Sequence, residues 1–228
     1  EGVSSYGAVA ASGSTLTINN LSSVTTDGLT AHGVFGYNTA WVTIDNGSVI
    51  TTNGISARGV SASDGSTLVV DNASSITTNA DSALGVYLNG TAAGTIDTLS
   101  SVTTHGVFAT GIAAGGSSTL TIDNASLVTT TAADAVGIFT EDSAWVMVDN
   151  GSRVTTSGLR SHGIYSEDDS TPFVDNGSQI LTNGVSATGI EIVDSAELTV
   201  GNASTITTNG ISSIGIYAQD STTATVDG

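Results

Sequence analysis

The chain has no cysteine and no lysine, and its only basic residues besides three histidines are Arg58, Arg153 and Arg160, set against 21 Asp and Glu. Without cysteine there are no disulfides, though this alone does not assign a compartment. Without a basic stripe, nucleic acid and anionic membrane surfaces are poor partners. No apolar run is long enough to cross a bilayer, so this segment is not expected to insert into a membrane. No signal peptide is visible, which reads as a mature or excised piece. No stretch carries an apolar period near 3.6 residues, so no helix is expected. The calcium nonapeptide G-G-x-G-x-D is absent, and no long insertion is present to wall off a cleft.

One unit of 26 residues is present, repeated without insertion or deletion. Its coils are 1–26, 27–52, 53–78, 79–104, 105–130, 131–156, 157–182, 183–208 and a partial 209–228. A strict period of this size is the mark of a stacked repeat. Numbered within the unit, position 7 is Gly in every copy, from Gly7 to Gly215. A corner with positive φ or a tight backbone approach accounts for that. Position 8 is aliphatic from Val34 onward, position 18 is Ile or Val from Ile18 to Val226, and position 24 is Val or Ile from Val24 to Ile206.

Around these positions the residues alternate, as in Thr15-Leu16-Thr17-Ile18, where Leu16 and Ile18 point inward. A period of two over four residues is a short strand with one buried face. Each unit therefore holds about three short strands, separated by Gly, Asn, Asp and Ser corners. One unit buries too few aliphatics to fold alone, so the units coil into a β-solenoid with three parallel sheets along its axis.

The unit G-x-x-A-x-G-[VI] … S-T-L-T-I-D-N-x-S-x-[VI]-T-T-N resembles the passenger repeats of bacterial autotransporter adhesins, over the whole chain. The resemblance implies an all-β, single-stranded right-handed parallel β-helix of the self-associating adhesin type, displayed at the outer surface of Gram-negative cells. It also implies few cysteines, because such chains cross the outer membrane unfolded.

Position 20 is Asn at Asn20, Asn46, Asn72, Asn124, Asn150, Asn176 and Asn202. Stacked amides can bond one another along the axis, which reads as a structural Asn ladder. Because position 22 is always Ser, the same residues also spell Asn-x-Ser glycosylation sites. Position 19 is Asp in most coils, and position 12 is Asp at Asp64, Asp142, Asp168, Asp194 and Asp220. These carboxylates cap the next turn, or calcium between coils neutralises their repulsion. Asp142, Asp168, Asp194 and Asp220 are the candidate metal ligands; no other cofactor is expected.

Outward residues that break the pattern are the candidate contact sites. Trp145, Met147 and Phe173 are expected on one face in neighbouring coils. Phe139, Glu141, Tyr165 and Glu167 form an aromatic-acidic stretch able to stack on a sugar while the carboxylates accept its hydroxyls. Glu141 and Glu167 stand about one strand spacing apart, and two carboxylates on a regular strand share one environment, which does not divide acid from base. His32 and His162 share position 6 but lie five coils apart, and His105 stands at position 1. No catalytic triad or histidine metal site follows, and the chain reads as a non-enzyme.

The expected function is a rod-like adhesive stalk at the bacterial surface, mediating cell–cell or host attachment through lateral, multivalent contacts. Its partners would be a second copy, a host surface or a glycan. The alternative is a filament subunit stacking end to end through open β-helix ends. Ice binding by Thr-x-Thr arrays is a lesser alternative, since Trp41, Trp145, Met147, Phe173 and Glu197 interrupt them.

Overall fold

The computed structural model describes residues 5–227. It contains 26 strands of four to six residues, with no helix among the described residues. Every strand pairs in parallel with its counterpart one coil away, and the strands form three sheets of nine, nine and eight. The first sheet holds positions 6–10, the second 15–18 and the third 23–26, as in Val136–Thr140, Trp145–Val148 and Arg153–Thr156. The register advances by one repeat at each step, for example Leu120↔Val146 and Val128↔Val154. The chain is thus an all-β parallel β-helix, as its period of two and its 26-residue repeat predict, and right-handed, as the resemblance implies.

The core is built from like residues stacked on like. Ile44, Ile96 and Ile122 from position 18, Ile50, Ile76 and Ile180 from position 24, and Ile112, Ile138 and Ile164 from position 8 are fully buried. Each such side chain contributes about 1.5–3 kcal/mol of burial. Ala31, Ala57, Ala83, Ala109 and Ala135 at position 5 are also fully buried, so only a small side chain fits where the third sheet turns into the first.

The invariant glycine does not sit at a corner. It lies inside the strands of the first sheet, as Gly33 does in His32–Tyr37, and its conformation is not left-handed. A methyl at Gly33 would meet Gly59 O and Ile50 Cγ2, each at 2.5 Å. The position-24 side chain of the third sheet packs onto the bare backbone there, which is a close-approach use of glycine.

Left-handed residues make the corners instead, at positions 4, 12 and 20 with their neighbours. Position 20 supplies Asn46, Asn72, Asn124, Asn150 and Asn176, all at φ of 49–51°. Asn and Asp tolerate this conformation better than other residues with a Cβ. The serine at position 22 is buried in the coils from Ser48 to Ser178, and Ser48 Oγ donates to Asp45 O across the same turn at 2.7 Å. The left-handed corner therefore gives the recurring Asn at position 20 a structural reason.

The threonine rows divide. Thr52, Thr78, Thr104, Thr130, Thr156 and Thr182 at position 26 are fully buried, so only position 25 of each Thr-Thr pair faces outward.

Candidate functional site

The Asn row is part of an acid–amide ladder, and this corrects the amide-to-amide expectation. Asn72, Asn124, Asn150 and Asn176 donate from Nδ2 to Oδ1 of Asp45, Asp97, Asp123 and Asp149, one coil earlier, at 2.7 Å in each case. Asn46 donates to Asn19 at 2.7 Å. Each Asp also caps its own corner: Asn72 N–H and Asn124 N–H reach Asp71 and Asp123 Oδ1 at 2.6 and 2.7 Å. One carboxylate oxygen thus takes two donors, and the stacked charges are offset by amides. Asn202 keeps the left-handed corner at φ 41°, but its coil has Gly201 in place of the Asp. An amide-to-amide row does occur at position 1, where Asn79 donates to Asn53 and Asn209 to Asn183 at 2.7 and 2.8 Å.

Asp142, Asp168, Asp194 and Asp220 occupy left-handed corners at φ of 50–59°, exposed to solvent. Backbone geometry alone gives reason for Asp there. Among the described residues, no three His, Asp or Glu side chains converge as a metal cage would require.

Coils 6 and 7 (131–182) carry the candidate contact residues. On the second sheet, Trp145 and Met147 pair in register with Thr171 and Phe173. The Trp145 and Phe173 rings are 5.9 Å apart and tilted by 46°, and all three candidate side chains are half-buried on the outer face. Pro172 beside them is buried and lacks a backbone N–H.

On the first sheet, Phe139 and Tyr165 are register partners whose rings stack at 5.8 Å and 13°. His162 meets the Tyr165 ring edge-on at 5.6 Å. His162 Nδ1 lies 3.2 Å from Glu191 Oε2, an ion-pair distance without the alignment of a hydrogen bond. Arg160 holds Asp134 in a two-point pair, Nε to Oδ1 at 2.7 Å and a second nitrogen to Oδ2 at 2.8 Å. Asp134, Val136, Phe139, Arg160, His162 and Tyr165 line a surface depression of about 310 Å³.

Between these two faces runs an acidic corner containing Glu141, Asp142, Glu167, Asp168 and Asp169. The two glutamates do not share one environment, contrary to the sequence expectation. Tyr165 Oη donates to Glu167 Oε2 at 2.9 Å, whereas Phe139 offers Glu141 no hydroxyl. Burial first, and then the charges of Asp142, Glu167 and Asp168, push the Glu141 carboxyl up. Burial, the Glu167 bond and the Glu167, Glu191 and Asp194 charges push the Tyr165 phenol up strongly. The field over this patch is negative.

Two features were not singled out from sequence. The Arg160–Asp134 pair joins position 4 of successive coils, and only the 26-residue offset of opposite charges hints at it. At position 3, exposed aliphatic residues stand beside the left-handed corner in two groups, Leu29 with Ile55 and Leu159 with Val185 and Ile211. Their signal in the sequence is an apolar residue recurring outside any strand.

The class these features define is a right-handed parallel β-helix, with outward aromatic and acidic clusters on an otherwise regular rod. Among solved structures, the chain is similar to one in "The cryo-EM structure of the Vag8-C1 inhibitor complex", with a TM-score of 0.77 and 19% sequence identity over 95% of this chain. It spans 55% of that chain's length, and the likeness is one of fold. No protein-family model matches the chain, and neither does any curated protein sequence.

Proposed function

We propose that this chain is a segment of an extracellular adhesive rod at the bacterial surface, whose flank rather than any enclosed pocket attaches to partners. The observation that carries this reading is the clustering in coils 6 and 7. Two outward aromatic groups, Phe139 with Tyr165 and Trp145 with Phe173, flank one acidic corner on adjacent faces. Aromatic side chains on a solvated sheet cost solubility and are suited to contact.

The passenger-like repeat and the fold likeness support secretion to the surface. The neighbouring structure is a complex with a protein inhibitor, and this supports a protein as the partner class here. The Phe139 and Tyr165 rings stack on each other, which turns their faces inward and favours a protein over a sugar. The role proposed is binding without catalysis.

The test is adhesion of beads coated with the chain to cultured animal epithelial cells and to one another. Trp145→Ser with Phe173→Ser is expected to reduce attachment severalfold while the circular-dichroism melt is unchanged. Full attachment by the folded double variant would refute the assignment, and loss confined to bead clumping would move the partner to a second copy of the chain.

A further inference from the structure

An asparagine followed by glycine is chemically fragile, because no side chain on glycine hinders its nitrogen from attacking the asparagine amide carbon. The sequence contains seven such pairs, and the fold restrains six of them. Asn46, Asn150 and Asn176 donate from Nδ2 to the preceding coil at 2.7 Å. The nitrogens of the glycines that follow them, Gly47, Gly151 and Gly177, donate to a carbonyl oxygen of the next coil at 2.9–3.1 Å. Asn53 donates to Asp27 and accepts from Asn79 at 2.6 and 2.7 Å, and Asn209 donates to Asn183 at 2.8 Å. Behind these last three the backbone is tightly stacked. A methyl at Gly54, Gly184 or Gly210 would lie 1.6–1.8 Å from a carbonyl oxygen of the preceding coil.

The seventh pair, Asn89-Gly90, stands at the corner between Leu84–Leu88 of the first sheet and Ala93–Ile96 of the second. Asn89 is exposed, and its Nδ2 has no hydrogen-bond partner among the described residues. Gly90 N–H donates to no other coil. Its acceptor is Asn89 Oδ1 itself, at 2.7 Å. That bond holds the glycine nitrogen next to the oxygen of the very carbonyl it would attack. In the next coil its neighbour is Gly116, where a methyl would come 2.8 Å from the Gly90 nitrogen. The missing side chain leaves that nitrogen uncovered.

We propose that Asn89 is a modification site of the folded chain, deamidating through a cyclic imide with Gly90 that water opens to an aspartyl or isoaspartyl residue. Gly90 N gives its proton to hydroxide and bonds to Asn89 Cγ. The Cγ–Nδ2 bond breaks, and Nδ2 takes a proton from water and leaves as ammonia, which returns the hydroxide. Water then adds to one of the two imide carbonyls. Breaking the new Cγ–N bond restores the main chain with a carboxylate side chain. Breaking the original Asn89 C–N bond instead leaves the main chain running through Cγ. Nothing is oxidised or reduced, and only water is consumed. Either product adds one negative charge to a chain already at −18. The isoaspartyl form also inserts a methylene into a corner whose spacing is otherwise fixed by the 26-residue repeat.

The experiment incubates the full folded chain in mildly alkaline buffer, beside the same chain unfolded in guanidinium chloride. Peptide mapping by mass spectrometry gives the deamidation rate at each pair, and isoaspartyl methyltransferase labels the rearranged product. Dividing each folded rate by its unfolded rate removes the effect of local sequence. Asn89 is expected to keep its unfolded rate to within a few fold. Each of the other six is expected to fall at least about tenfold, because one or two hydrogen bonds must open first. Methyltransferase labelling of the folded chain is expected at Asn89 alone, and Asn89→Ser is expected to remove it while the protein melts as before. A second pair that keeps its unfolded rate, or an Asn89 slowed as much as the rest, would overturn the inference. A label that persists in Asn89→Ser would do the same. Bead adhesion plays no part in this readout, so its outcome is separate from that of the adhesive reading.

Discussion

Removing the Asp149 carboxylate tests the ladder that fixes the corners. Asp149 is buried, and its Oδ1 accepts from Asn150 N–H at 2.8 Å and from Asn176 Nδ2 at 2.7 Å. Asp149→Ala strands both donors. A donor left without a partner costs about 1–3 kcal/mol when buried; Asn150 and Asn176 are exposed residues, which lowers the upper end, so the pair costs roughly 2–4 kcal/mol. The substitution also relieves repulsion from Asp123 and Asp175, one coil to either side, worth roughly 0.5 kcal/mol each in a water-like dielectric once salt screens it. The stranded donors win, and the net loss is about 1–3 kcal/mol. At this chain length that corresponds to a fall in Tm of about 2–12 °C. Asp149→Asn keeps an acceptor oxygen and removes the charge, so it is expected to match the wild type or melt slightly higher at low salt. Urea unfolding followed by fluorescence of Trp145, in the same coil, reads both variants. If Asp149→Asn lost as much as Asp149→Ala, the charge rather than the acceptor would hold the corner, and the ladder as described would be wrong.

Other consequences are equally direct. Gly111→Ala puts a methyl 2.5 Å from Gly137 O and 2.6 Å from Val128 Cγ1, and is expected to cost about 3 kcal/mol in urea unfolding. Ile122→Ala, at a fully buried position, is expected to cost about 2–5 kcal/mol in the same assay. The Glu141 carboxyl is raised above its ordinary value of 4.5, so the fold disfavours its charged form. Its stabilising contribution is therefore complete below the ordinary value and lost as pH rises through the raised one. Glu141→Gln should raise Tm at pH 7 relative to wild type, with the gain vanishing at low pH; a gain that persisted there would contradict the sign. Excess EDTA is expected to leave Tm unchanged, because amides and backbone N–H groups offset the Asp rows; a large fall would point to calcium between coils.

Much of the fold was legible because each inward position repeats at a fixed interval. Ile18, Val24 and Ile112 declare their faces by alternation alone, and a one-residue slip would expose them all. The role of Gly33 was harder to read, since glycine serves both left-handed corners and close approaches, and only three-dimensional packing shows Ile50 lying against it. The ladder was half legible for a similar reason. Asp45 and Asn46 are neighbours in sequence, but the bond that matters runs from Asn72 back to Asp45, across 27 residues, and fixed spacing does not say which of two stacked polar columns donates to the other. The functional patch was visible as a set of exceptions. Its depression was not, because it depends on what Val136 fails to fill between Phe139 and the Arg160–Asp134 pair.

The division of labour between regular and irregular positions can be measured in one comparison of bead adhesion to epithelial cells. One variant changes Phe139, Trp145, Tyr165 and Phe173 to Ser; the control changes the regular outward residues Thr43, Thr77, Thr95 and Thr103 to Ser. Both are expected to keep the wild-type β-sheet spectrum, with adhesion lost in the first and retained in the control. Retained adhesion in the first, or loss in the control, would contradict the assignment of contact to the residues that depart from the repeat.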